Sequence, residues 1–360
     1  MSVGLIKSVW LVLSLVLAIM PVLIITQQYL SPNPGTTTQH QTQKHNVKLA
    51  SKNLTQGLRL WQQGEYDKAL ASINLAAELG STKAELYQHY ALTWQNTPLH
   101  GINPSLVNWA GAGCLQQILF VTSELSSLTQ ATDFIRRFNT DVRLYELPIC
   151  IAPQVVFVPE LLQCDDAAVN TRISCNIAPL AANLKDAQFT HLVIFAKQGK
   201  ANVHNGIMYL DQQDTYDVLV HELAHFAGFI DEYPLSNELA ERVCSGIDTP
   251  NLVFQQAGQK QPDLHYWQQQ GRSDKVKLTK ARTCNNHSAQ AFKVSSELTF
   301  LEYHDLNRIP KSYLVAWKAS LQQNHSITPA FINFAQLYEQ LQDDSALYWR
   351  ERYQAFHRQP

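Results

Sequence analysis

The spacing of apolar and polar positions changes several times along this chain. Residues 8–26, "SVWLVLSLVLAIMPVLIIT", carry no charge and match the about 20 apolar residues with which a helix crosses a bilayer. Residues 31–48, "SPNPGTTTQHQTQKHNVK", hold few apolar side chains and read as a flexible linker. From 49 to 96 apolar residues return at helical spacing, in "LRLWQQGEYDKALASINLAAELG" and "AELYQHYALTW". Beyond residue 100 the runs shorten. "QQILFVT" (116–122), "QVVFVPE" (154–160), "THLVIFA" (190–196) and "GIMYLD" (206–211) are rich in β-branched and aromatic residues and predict strands. "DTYDVLVHELAHFAGF" follows as a helix, with Asp214 as its N-cap. Helical spacing resumes from Pro310 in "KSYLVAWKASLQQ", "PAFINFAQLYEQLQ" and "ALYWRERYQAF".

These changes divide the chain into a transmembrane signal anchor (1–30), a linker (31–48), a helical segment (49–96), a mixed domain (97–309) and a helical C-terminal segment (310–360). The expected fold class is α+β, preceded by a transmembrane helix and flanked by helical segments.

Composition fits this division. The chain has 360 residues, 45% of them hydrophobic and 16% charged, which is globular usage. A net charge of -2 with no basic run gives no support for a nucleic-acid surface. Lys7 precedes the apolar run, and no charge follows it until Lys44. The positive-inside rule therefore predicts a single-pass protein with a cytoplasmic N-terminus and its main domain exported, to the periplasm or outside the cell.

All six cysteines lie after the apolar run. An even number in an exported domain predicts disulfides, although six cysteines allow 15 pairings. Cys164–Cys175 closes a local loop and is favoured. Cys244–Cys284 and Cys114–Cys150 would complete the set. None has C-x-x-C spacing, so no cysteine zinc site is expected.

The candidate chemistry lies in "HELAHFAGFIDEY", which starts at His221. His221 and His225, four apart on a helix, share one face. Two imidazole nitrogens can then reach one metal ion, and Glu222 can act as general base on a water molecule beside it. Zn2+ is the expected cofactor. The continuation through Gly228 to Asp231 resembles the extended signature of metzincin-type zinc peptidases, and the resemblance implies Asp231 as third ligand, with Gly228 letting the chain turn at the helix end. Glu238, in the following "SNELAERVC", is the alternative third ligand, with Glu232 after it. Tyr233, Tyr303 and His304 are candidates for oxyanion stabilisation.

The segment resembles the extended H-E-x-x-H-x-x-G-x-x-H/D signature of metzincin-type zinc peptidases, on His221, Glu222, His225, Gly228 and Asp231. "GFIDE" is similar to the astacin stretch, and "DEY" followed by Pro250-Asn251 is similar to the IgA-specific metallopeptidase family. Glu238 resembles the glutamate that completes a gluzincin site. Met1, Met20 and Met208 all precede the motif, so the methionine turn of metzincins has no counterpart. Separately, Gly64, Tyr66, Ala69, Leu70, Ile73 and Ala76 resemble a tetratricopeptide repeat, over about one and a half units.

The resemblance implies a zincin-like core and a membrane-anchored zinc metallopeptidase. Its partners would be a peptide or protein substrate, the membrane through the N-terminal helix, and a protein partner at the helical segment, with no nucleic acid. The rival expectation is a membrane-tethered helical adaptor, a pseudoenzyme whose zinc site is structural or degenerate.

Overall fold

The computed structural model describes residues 34–96, 109, 113–165, 171–269, 277–323 and 327–358. They belong to two compact units, Met1–Gln88 and His89–Pro360.

In the first unit, helices α1 (Pro34–Gln62) and α2 (Tyr66–Glu78) pack together. Ala69, Leu70, Ile73 and Ala76 form the buried stripe of α2. The two helices come close at Gly57, where a Cβ would stand 2.7 Å from the Ile73 side chain. Helix α3 (Thr82–Asn96) follows. Helix α1 begins inside the stretch expected to be a flexible linker. After Gly35 that stretch contains no Gly or Pro, and its Gln and Lys residues are good helix formers.

The second unit is built on a six-stranded sheet. Its members are β1 (Gln116–Thr122), β2 (Ile149–Ile151), β3 (Val156–Phe157), β6 (His191–Phe195), β7 (Asn202–His204) and β8 (Ile207–Leu210). The order is β2-β1-β6-β8-β7, with β3 also beside β1. Strands β2, β3 and β6 run parallel to β1, and β8 runs parallel to β6. Only β7 is antiparallel. A hairpin, β4 (Gln163–Cys164) with β5 (Cys175–Asn176), lies outside this sheet. Every residue of β6 and β8 is buried, as expected of strands covered on both faces.

Helix α4 (Leu128–Thr140) packs through Phe134 on Phe195 and Tyr216. Helix α5 (Ala178–Asn183) precedes β6, and α6 (Tyr216–Phe226) follows β8. Next come α7 (Asn237–Val243), β9 (Leu252–Gln255), α8 (His265–Gln269), β10 (Thr279–Lys280) and β11 (Gln290–Lys293). Strands β10, β11 and β9 form a small antiparallel sheet. The chain closes with α9 (Lys311–Leu321), α10 (Phe331–Gln340) and α11 (Ser345–His357). These last helices belong to the same core. Trp317 packs on Phe229 and Phe300, while Phe331, Phe334 and Trp349 pack on Phe189.

The expected α+β zincin-like core with a transmembrane helix is therefore corrected to a mixed α/β protein. Parallel neighbours need crossovers, and the connecting helices α4 and α5 carried no run conspicuous enough to reveal them. The apolar run at 8–26, expected to be the anchor, lies outside the described residues. Among the described residues no helix is long and apolar enough to cross a membrane.

Three disulfides join Cys114 to Cys150, Cys164 to Cys175 and Cys244 to Cys284. These are the expected pairs, and they suit an oxidising, exported setting.

Candidate metal centre

Helix α6 begins on Thr215, whose hydroxyl accepts the Val218 amide at 3.4 Å. Asp214, expected in that role, instead accepts the Asp211 amide at 2.7 Å and holds the preceding turn. Nine residues of α6 are buried, His221 and Glu222 among them. Its C-terminal end is fixed to the sheet by Phe226, whose ring centroid lies 4.5 Å from that of His191 on β6. Burial pushes the His191 pKa down to about 3, so this ring is a neutral core group.

The helix ends in a Schellman turn. The Gly228 amide bonds the His225 carbonyl at 3.0 Å and the Phe229 amide bonds the Ala224 carbonyl at 3.2 Å. Gly228 has φ +82°, a conformation that costs other residues steric energy. The chain reverses there, and Asp231 returns to the histidines.

His221 Nδ1 lies 2.8 Å from the carbonyl of Phe300, and His225 Nδ1 lies 2.8 Å from that of Phe229. A carbonyl only accepts, so both Nδ1 atoms donate. In neutral rings both Nε2 atoms then carry lone pairs, and they face each other at 3.1 Å. Asp231 Oδ1 completes a triangle, 3.0 Å from one Nε2 and 3.2 Å from the other. Oδ1 is buried and takes no well-angled hydrogen bond.

Three electron-rich atoms converging in this way repel one another unless a cation lies among them. Protons are one solution. Burial opposes charge on the His225 ring, but Asp231 and Glu222 outweigh it and push its pKa up to about 10. Burial would raise the Asp231 carboxyl, but the two histidines hold it well below the usual carboxylate range. A zinc ion is the other solution. Bonds of ~2.0–2.1 Å in tetrahedral geometry give ligand-to-ligand edges of ~3.3–3.4 Å. The observed edges fall slightly short of these, so the donor set fits zinc with little movement. Backbone carbonyls holding Nδ1 are the usual outer support of histidine ligands.

Glu222 is buried, and burial pushes its carboxyl up, with the His225 and His221 charges opposing. The Tyr233 hydroxyl is raised by burial and by its contact with Asp231. Among the described residues, His221, His225 and Asp231 are the one group of His, Cys, Asp or Glu able to hold an ion.

The other named candidates lie elsewhere. Glu238 is exposed in the first turn of α7. Glu232 is fully buried, but its oxygens accept from Asn251 Nδ2 at 2.9 Å, Tyr313 at 2.5 Å and Thr299 at 2.5 Å. Tyr303 meets the Arg282 guanidinium, and His304 pairs with Asp305 at 3.0 Å on the surface.

Sequence reasoning missed the carbonyls of Phe229 and Phe300 and the hydroxyl of Thr283, which donates to the Asp231 carbonyl at 2.8 Å. Main-chain groups and distant hydroxyls leave no local pattern. No family model, curated protein or solved structure matches the chain.

Proposed function

We propose that this protein is a zinc-dependent metallopeptidase that hydrolyses peptide bonds in peptide or protein substrates. The observation that supports this reading is the convergence of His221 Nε2, His225 Nε2 and the buried Asp231 Oδ1 beside a buried glutamate. Those three atoms would hold the ion. When bound, zinc supplies Lewis acidity, polarising a substrate carbonyl and acidifying a water molecule. Glu222 follows the first ligand and is not itself in the triangle. It serves as the base that takes the proton of the attacking water and returns it to the leaving amine. The half-buried Tyr233, anchored on Asp231, fixes the orientation of that carboxylate.

The ligand count bears on the adaptor alternative. A structural zinc site is closed by four protein ligands, whereas a catalytic one keeps a position for water or substrate. Three protein ligands among the described residues support the catalytic reading.

The test is metal analysis of the purified protein beside His225→Ala, with cleavage of a peptide library before and after chelation. One zinc per chain, lost in the variant, with chelator-sensitive cleavage, is expected. A wild-type protein that takes up no zinc would sink the proposal.

A further inference from the structure

Asp231 sits on a loop, where no helical ladder fixes the backbone. Its aim at the two histidines depends on what holds residues 230–232. Asn251, fully buried, spans the main chain of Ile230. Its Oδ1 accepts the Ile230 amide at 3.0 Å and its Nδ2 donates to the Ile230 carbonyl at 2.8 Å. Nδ2 also donates to Glu232 Oε1 at 2.9 Å. One carboxamide thus grips the residues on both sides of Asp231. Thr283, also fully buried, holds Asp231 itself through the 2.8 Å bond to its carbonyl. Glu232 completes the hold, with its amide on the Leu301 carbonyl at 3.0 Å and its own carbonyl accepting the Arg282 amide at 3.2 Å.

The same contacts reach the first ligand. Thr299 bonds Glu232 Oε2 at 2.5 Å, and Lys293 Nζ lies 3.5 Å from that oxygen while pairing with Glu302. Residues 299–302 carry the Phe300 carbonyl that orients His221. The loop around Asp231 and the support of His221 are therefore one hydrogen-bonded body.

We infer that Asn251, assisted by Thr283, is a positioning residue that sets the geometry of the metal centre by fixing the backbone on either side of Asp231. The inference rests on the metal reading proposed above. Neither side chain touches the ion's place. Each acts through the main chain of the third ligand.

The experiment uses the full-length protein with two variants, Asn251→Ala and Thr283→Val. The second is close to isosteric and removes the one hydroxyl, so it decides the matter if the first fails to fold. Zinc affinity is measured by competition with a chelator. Cobalt(II) is then added to saturation and its visible bands are recorded, since these follow coordination geometry. A loss of general stability alone would not move the bands of saturated protein. Zinc binding weakened about 10–100-fold, the range for outer support of ligands, together with altered cobalt bands in a folded variant, is expected. Wild-type affinity and wild-type bands in the folded variants would overturn the inference and leave the metal reading standing. A wild-type protein that binds neither metal would overturn both.

Discussion

His225 donates from Nδ1 to the carbonyl of Phe229, and the amide of that same Phe229 closes the helix end on Ala224. The ring of His225 and the stop of its helix thus share one residue. Gly228, at φ +82°, is what allows it. Gly228→Ala should destabilise the protein by ~1–2 kcal/mol, the cost of a left-handed residue with a Cβ, and should weaken zinc binding. Urea unfolding checks the first, and an unchanged midpoint would contradict the account.

Glu222→Gln keeps the shape and removes the base. Zinc content and melting temperature should stay near wild type while peptide cleavage falls by ~10²–10⁴-fold. Equal cleavage by the two proteins would rule out the proposed role.

The proposed third ligand is open to direct substitution. Asp231→Ala should lose most zinc affinity, because it removes the Oδ1 that faces both Nε2 atoms. Glu238→Ala, on the exposed first turn of α7, should keep it. Metal analysis of both variants separates the two readings.

Stability should respond to pH through Asp214. Burial raises its carboxyl, the Asp211 amide opposes, and the Asp211 and Glu222 charges add, bringing it up to about 7. Unfolded, an aspartate titrates near 3.9. The folded state therefore holds the proton more tightly. The stabilisation this gives is complete below about pH 3.9 and is lost as pH rises through about 7. Denaturant midpoints in chelator from pH 4 to pH 8 should show wild type losing stability relative to Asp214→Asn, whose neutral side chain does not titrate, as pH rises across that window. A constant difference would exclude Asp214 as the cause.

The Cys244–Cys284 bridge closes a 40-residue separation, for which chain entropy suggests about 4 kcal/mol. It joins the end of α7 to the residue after Thr283, in a small core with Leu235, Phe254 and Ala291. Replacing both cysteines by serine should lower stability by about that amount and weaken zinc binding with it. Unfolding curves with and without reductant provide the measurement.

Local features of this site were legible in the sequence, and long-range ones were not. The spacing of His221 and His225 is a property of the helix, and Gly228 announces the turn before Asp231. The Cys164–Cys175 pair is legible from its short loop, whereas nothing in the spacing of the other four cysteines singles out their pairing. The polar composition of residues 34–48 concealed a helix, because composition reports burial and not backbone shape. Thr215 and Asp214 are both good capping residues, and only the turn held by Asp211 decides between them. Strands β2 and β10 are two or three residues long, too short for any period to show. Asn251 was noticed only beside Pro250, without the role that its contacts with Ile230 and Glu232 give it.

His221 is oriented by Phe300, which lies 79 residues further along the chain, and Asp231 is held from Asn251 and Thr283. A growing polypeptide therefore carries its whole motif long before it carries the parts that aim it. While it is being made, the chain holds His221, His225 and Asp231 without the contacts that bring them together. On the metallopeptidase reading proposed above, activity would be withheld until residue 300 has emerged, with no separate inhibitor needed. A fragment ending before residue 300 would inherit the motif and not the carbonyl that orients His221.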